Sequence, residues 1–222
     1  MKKIPTLFER QYENHKVVGI SDKLTDPSFQ DILDMKPGVL MTIKYDGTAT
    51  AVIGGKIYKR YDAKKGKKPP AGAIPCCDPD PVTGHWPHWV AIHASDPADK
   101  YILAAFKGEI IENVRLILPM PATVVTVNDD DTVSTNLKPG TFEAMGPGIN
   151  GNPYNLEENC ITRHGAIIFN PSVKPLTLEH LKKTLEENHF EGFVFWKDGE
   201  PVCKIKRTDF GFAWPIKEED EK

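Results

Sequence analysis

Four cysteines in 222 residues are too few to read as a disulfide framework, which sets aside the small, stapled folds of secreted proteins and makes a reducing, cytoplasmic setting the expectation. Long apolar runs are absent as well. No stretch approaches the ~20 residues that cross a bilayer, and Met1-Lys2-Lys3-Ile4-Pro5 lacks the hydrophobic core of a signal peptide. The cysteines also miss the usual zinc spacing. Cys76 and Cys77 are adjacent, so they cannot easily share one tetrahedral ion, and with no Cys-x-x-Cys pair they are not read with His85 and His88 as a metal centre. Basic charge is not in excess, since the formal net charge is −3. Internal repeats and low-complexity segments are absent too, which excludes solenoids and arrays.

What is present is ordinary in bulk and informative in its arrangement. A chain of this length supports one large domain or two small ones, and 40% apolar with 27% charged residues fits a globular protein. Charge is unevenly spread. Lys56, Lys59, Arg60, Lys64, Lys65, Lys67 and Lys68 gather positive charge against Asp62 alone, which reads either as a solubilising loop or as a surface that steers a polyanion. Residues 217–222 carry two positive and four negative charges and read as a solvated acidic tail. The remainder, residues 1–216, is read as a single domain.

Periodicity and turn residues predict strands over Lys2–Phe8, Lys16–Ile20 and Val39–Tyr45, with a short capped helix opening at Asp26-Pro27-Ser28. Thr48–Ile53 and Lys56–Tyr61 are expected to form a hairpin closed by Gly54-Gly55. Residues 62–100, rich in Pro and Gly, are expected to be irregular, and Pro97–Glu112 has helical spacing. Ala122–Val127, Thr141–Met145 and Ala166–Phe169 are expected as short strands and Thr177–Asn188 as a helix. Gly192–Trp196 and Pro201–Lys206 are expected to make a closing hairpin. Antiparallel strands with a few segregated helices imply an α+β fold.

The chemistry lies in an ordered set: Lys44-Tyr45-Asp46-Gly47, Arg60, Glu143, Glu191-Gly192 and Lys204-Ile205-Lys206. A lysine nucleophile must shed its proton, which burial and neighbouring cations both favour. Two residues apart on a strand, Lys204 and Lys206 share one face, while Cys203 and Ile205 turn into packing. Lys44 and Asp46 share a face for the same reason, provided that the strand persists to Asp46. A reactive amine, carboxylates for a hydrated cation or a sugar, and two cations facing phosphates together suit covalent nucleotidyl transfer. Each fragment is weak alone, but their joint occurrence in this order has a chance of roughly one in a thousand.

At these residues the chain resembles the covalent nucleotidyltransferase superfamily of polynucleotide ligases and RNA capping enzymes, and within it the small animal-type 5′-to-3′ RNA ligases, the RNA ligase 1 family. The shared text includes Lys44-Tyr45-Asp46-Gly47-Thr48, Gly84-His85-Trp86-Pro87-His88-Trp89-Val90 and Gly146-Pro147-Gly148-Ile149-Asn150-Gly151-Asn152-Pro153-Tyr154. It continues through His164-Gly165-Ala166, Glu191-Gly192-Phe193-Val194-Phe195-Trp196 and Phe212-Ala213-Trp214-Pro215. The resemblance implies an ATP-grasp-like adenylation fold, with antiparallel sheets flanking a nucleotide cleft. It implies ATP as the nucleotide, Mg²⁺ or Mn²⁺ as the metal, a lysyl-AMP intermediate, and RNA bearing 5′-phosphate and 3′-hydroxyl ends as the partner. Residue by residue, Lys44 resembles the adenylylated lysine, Arg60 the arginine that contacts ribose or RNA phosphate, and Glu143 the ribose-binding glutamate. Glu191 resembles the glutamate near the metal, Asp46 a supporting metal group acting through water, and Lys204 and Lys206 the phosphate-binding pair. Phe169 is taken as the ring that stacks on adenine.

With sixteen residues after Lys206, no second domain is expected, so RNA would be gripped by the core domain, its insertions or a partner; a monomer is favoured. Two rivals share the motifs: a capping-type guanylyltransferase using GTP, and a non-catalytic RNA-binding protein, which has no need of a reactive lysine. Three further features have structural readings beside their functional ones. Trp86 and Trp89 either stack on bases or anchor a loop against the sheet. Asn150-Gly151-Asn152-Pro153 reads as a tight turn. His164 reads as a hydrogen-bonded structural histidine.

Overall fold

The computed structural model describes residues 3–14, 16–81, 83–108 and 123–216. Lys2, the end of the helix expected to reach Glu112, Ala122 and the acidic tail lie outside them. The described chain is mixed α+β, chiefly antiparallel, and divides into two compact units. One is built on Gly47–His164, the other on Lys3–Asp46 with Gly165–Lys222.

In the second of these, β1 (Phe8–Glu13) and β2 (Lys16–Leu24) form an antiparallel pair. The expected first strand is shifted: residues 5–7 instead bridge the edge of a later strand, with Leu7 N–H donating to the Lys204 carbonyl at 2.8 Å. Asp26 caps a short helical turn by accepting from Ser28 N–H, and α1 (Gln30–Leu33) follows. β3 (Val39–Lys44) borders β12 (Gly192–Lys197), which pairs in turn with β13 (Glu200–Lys206), giving a three-stranded sheet of order β13-β12-β3. Asp198 and Gly199, at φ 52° and 85°, close the β12–β13 hairpin as the sequence predicts. α3 (Leu178–Glu186) is capped by Thr177, whose hydroxyl accepts from His180 N–H at 3.1 Å. Cys203 and Ile205 are buried, as alternation along β13 requires, with Phe190, Phe193, Phe195, Met41, Leu181 and Leu185.

The Gly47–His164 unit carries an antiparallel sheet. β4 (Thr48–Ile53), β5 (Lys56–Ala63), β6 (Ile74–Pro75), β7 (Trp86–Ala91), β10 (Gly140–Met145) and β11 (Cys160–Arg163) run in the order β11-β10-β4-β5-β7-β6. β8 (Val125–Val127) and β9 (Val133–Thr135) join beside β5. α2 (Lys100–Lys107) follows a turn capped by Asp96 and buries Ile102, Ala105 and Phe106 against Phe142, Ala144 and Ile161. Strand β7 corrects the expectation of an irregular 62–100 segment. Pro87 masks the strand pattern, since it cannot donate to a ladder, yet its carbonyl accepts from Cys76 N–H at 2.9 Å. Trp89 is buried, in line with the structural reading of that residue, whereas Trp86 is half-exposed.

Candidate functional site

Register places three lysines on one face of the β13-β12-β3 sheet. Gly192 pairs with Lys44 on one side and Lys206 on the other, and Val194 pairs likewise with Thr42 and Lys204. Residues opposite one another across a sheet, and those two apart along a strand, point the same way. Lys44, Lys204 and Lys206 therefore share a face, and the residue between Lys44 and Lys206 has no side chain. Glu191 answers both of those ammonium groups. It is only 4% exposed; Oε2 takes Lys44 Nζ and Oε1 takes Lys206 Nζ at 2.9 Å. Lys44 Nζ also donates to the Tyr45 carbonyl at 3.3 Å.

Lys204 is the third cation of this face. Burial, and then the charges of Lys44, Lys206 and Arg10, pull its ammonium down to about 8, with Glu191 opposing. Its backbone is pinned on the outer side, where its N–H donates to the Pro5 carbonyl at 3.0 Å. Arg10 reaches the neighbourhood from β1 and is held by Asp209, which is 1% exposed; its Nε donates to Asp209 Oδ1 at 2.8 Å. Asp209 Oδ2 accepts the Lys206 backbone N–H at 2.8 Å. The sequence offers no signal for this pair, since 199 positions separate its members. Asp46 is oriented by the Trp214 indole, whose Nε1 donates to Oδ2 at 2.7 Å.

Phe169 does not join the lysine face. Its backbone N–H bonds the Met41 carbonyl at 2.8 Å, and the neighbouring Ile168 is the residue in register with Thr42. Alternation turns the Phe169 ring to the buried side, where it meets Phe193 at 5.0 Å and Phe190 at 6.3 Å between centroids. On the lysine face stand Ile168, Val194 and Trp196, the last donating from Nε1 to the Thr42 hydroxyl at 2.8 Å. Motif spacing alone gave none of these away, because the face of Ile168 depends on a pairing outside the named strands.

Glu143 and Arg60 belong to the Gly47–His164 unit. Glu143, on β10, is 9% exposed. Its Oε1 accepts Gly47 N–H at 2.9 Å and its Oε2 lies 2.7 Å from His164 Nε2. His164 Nδ1 lies 2.9 Å from the Thr141 hydroxyl, so the imidazole is a bridge that fixes the carboxylate, as its structural reading anticipates. Arg60, on β5, donates from Nε to Asp62 Oδ1 at 2.9 Å.

Among the described residues, no three His, Cys, Asp or Glu side chains gather as a ready-made metal cage. Mg²⁺ does not require one, because it takes one or two protein carboxylates and completes its shell with phosphate oxygens and water. Glu191 and Asp46 are hard oxygen donors of that kind, so the donor set fits.

The sheet thus gathers three lysines on one face around a buried glutamate. The family described as RNA ligase 1 matches residues 70–221, and the chain belongs to that family. The matched span contains Glu143, Phe169, Glu191, Lys204 and Lys206; Lys44, Asp46 and Arg60 precede it. The chain is also similar to RNA ligase 1 of Pongo abelii, with 27% identity over 158 residues, 66% of this chain and 48% of that protein. It thus spans about half the length of this curated relative.

Proposed function

We propose that the protein is an ATP-dependent RNA ligase of nucleotidyltransferase fold that joins a 5′-phosphate to a 3′-hydroxyl through a lysyl-AMP intermediate. The observation that carries this reading is the row Lys44-Gly192-Lys206 with Lys204 beside it and Glu191 buried beneath its charges. After loss of one proton, Lys44 Nζ bonds to the α-phosphorus of ATP as the bond to the pyrophosphate oxygen breaks. AMP then passes to the 5′-phosphate of an RNA end, freeing Lys44. A 3′-hydroxyl oxygen next displaces AMP, forming the phosphodiester.

Lys204 and Lys206 neutralise charge on the triphosphate, where fixed cations accelerate transfer more than solvent does. Glu191 and Asp46 would hold the divalent metal. When bound, that ion offsets charge on the phosphate oxygens. Glu143, both oxygens of which are already oriented, accepts hydrogen bonds from the ribose hydroxyls, and Arg60 contacts ribose or RNA phosphate. The Phe169 ring packs against Phe193 and Phe190, so the apolar contact to the base falls to Ile168 and Val194.

The deciding experiment is incubation with Mg²⁺ and α-labelled ATP or GTP. Covalent label from ATP alone, absent in Lys44→Ala, is the expected result. Label from GTP would instead indicate capping-type chemistry, and no label from either would leave a binding protein.

A further inference from the structure

We infer that the turn Lys64–Lys68 is an RNA-backbone contact surface, distinct from the Lys44 cluster; the identity of its ligand rests on the ligase reading. The basic run from Lys56 to Lys68 is not uniform in the structure. On strand β5 its cations are neutralised: Lys56 by Asp130 at 2.9 Å, Lys59 by Asp99, and Arg60 by Asp62 at 2.9 Å. Past the end of β5 the pattern changes. Lys64, Lys65, Lys67 and Lys68 are all exposed, and none has a carboxylate partner among the described residues. Four uncompensated charges within five residues repel one another, a cost that a polyanion would remove.

The turn is also shaped. Lys67 N–H donates to the Lys64 carbonyl at 2.9 Å, and Gly66 takes φ 76°. The stem of Lys65 packs over Gly84, where an added Cβ would lie 3.0 Å from Lys65 Cγ. This seats the lysines beside the loop of Thr83, Gly84 and His85, itself tied by Gly84 N–H to the Asp80 carbonyl at 2.8 Å. The adjoining ladder ends in the pair Ala63 and Trp86. An exposed imidazole and a half-exposed indole thus flank the cations, the indole fixed by donation to the Cys77 carbonyl at 2.6 Å. Cations that track a backbone, with aromatic faces beside them, suit single-stranded nucleic acid. With Asp62 paired to Arg60, Asp78 and Asp80 are the next acidic residues in the chain, two against the four cations Lys64, Lys65, Lys67 and Lys68. Lysines are point charges without a planar fork, so the surface gives affinity and position but not sequence choice.

The test compares wild type with a variant in which all four lysines become glutamine, and with one in which all four become arginine. A short 5′-phosphorylated single-stranded RNA is titrated over a range of salt. The glutamine variant is expected to bind at least tenfold more weakly at low salt. Its slope of log affinity against log salt should fall by about 1 to 3, as loss of up to four single-strand phosphate contacts requires. The arginine variant should bind like wild type. Covalent label from ATP is expected to persist in both, since none of the four belongs to the Lys44 cluster. Unchanged RNA affinity and slope in the glutamine variant would overturn the inference, as would equal losses in the arginine variant or a preference for phosphatidylserine vesicles over RNA. A wild type that takes no label yet binds RNA through these lysines would instead sink the ligase reading and leave the surface standing.

Discussion

Lys204 sits where an ammonium is costly. Burial and three neighbouring cations bring it to about 8 from an ordinary 10.5, so between those values the unfolded chain holds a proton that the folded chain has released. Wild-type stability therefore rises with pH across that window and carries the full penalty below it. Lys204→Met is expected to be the more stable protein at pH 7 in metal-free buffer, by up to about 3 kcal/mol. That advantage should shrink as pH climbs from about 8 towards 10.5, as read by urea denaturation at stepped pH. The side-chain direction of Lys204 was legible in sequence, because period-two alternation and a clear turn at Asp198-Gly199 fix the face of every β13 residue. The face of Phe169 was not, since it follows from pairing with Met41, more than a hundred positions away. The Arg10–Asp209 pair was illegible for the same reason: ion pairs between the chain's ends leave no local pattern.

At the scale of the element, the β12–β13 hairpin depends on Gly192. A Cβ there would run into the Ile205 carbonyl and approach Lys206 Cα at 2.9 Å, both on the partner strand. Gly192→Ala must push β13 aside, at a cost of about 1–3 kcal/mol, and in doing so displaces Lys206 from Glu191. Chemical denaturation should show the lost stability, and covalent label on Lys44 should fall more steeply than the folded fraction does. Elements with clean alternation or firm caps, such as this hairpin and α3, were readable from sequence. Strand β7 was hidden because Pro87 breaks the usual signature, while the pairing that keeps it in the sheet comes from residues far along the chain on β5. Strand β11 carries the short run Cys160–Arg163, too brief to show a period.

Over the whole molecule, each unit has its own core. Phe106 is fully buried in the one built on Gly47–His164 and meets Phe142 edge-on at 6.0 Å. Phe106→Ala is expected to cost about 3–5 kcal/mol, seen as a lower denaturant midpoint, through the cavity it leaves. The α+β class was visible from element order. The division into units was not, because the cut falls at Asp46-Gly47 and His164-Gly165 inside runs that look continuous. That connectivity has a consequence for biosynthesis. Among the described residues the Gly47–His164 unit is one continuous stretch, whereas the other is assembled from the segments on either side of it. A ribosome thus delivers Lys44 long before Glu191, Lys204 and Lys206, and a nascent or prematurely ended chain carries that lysine without the glutamate and the two lysines that share its sheet when folded.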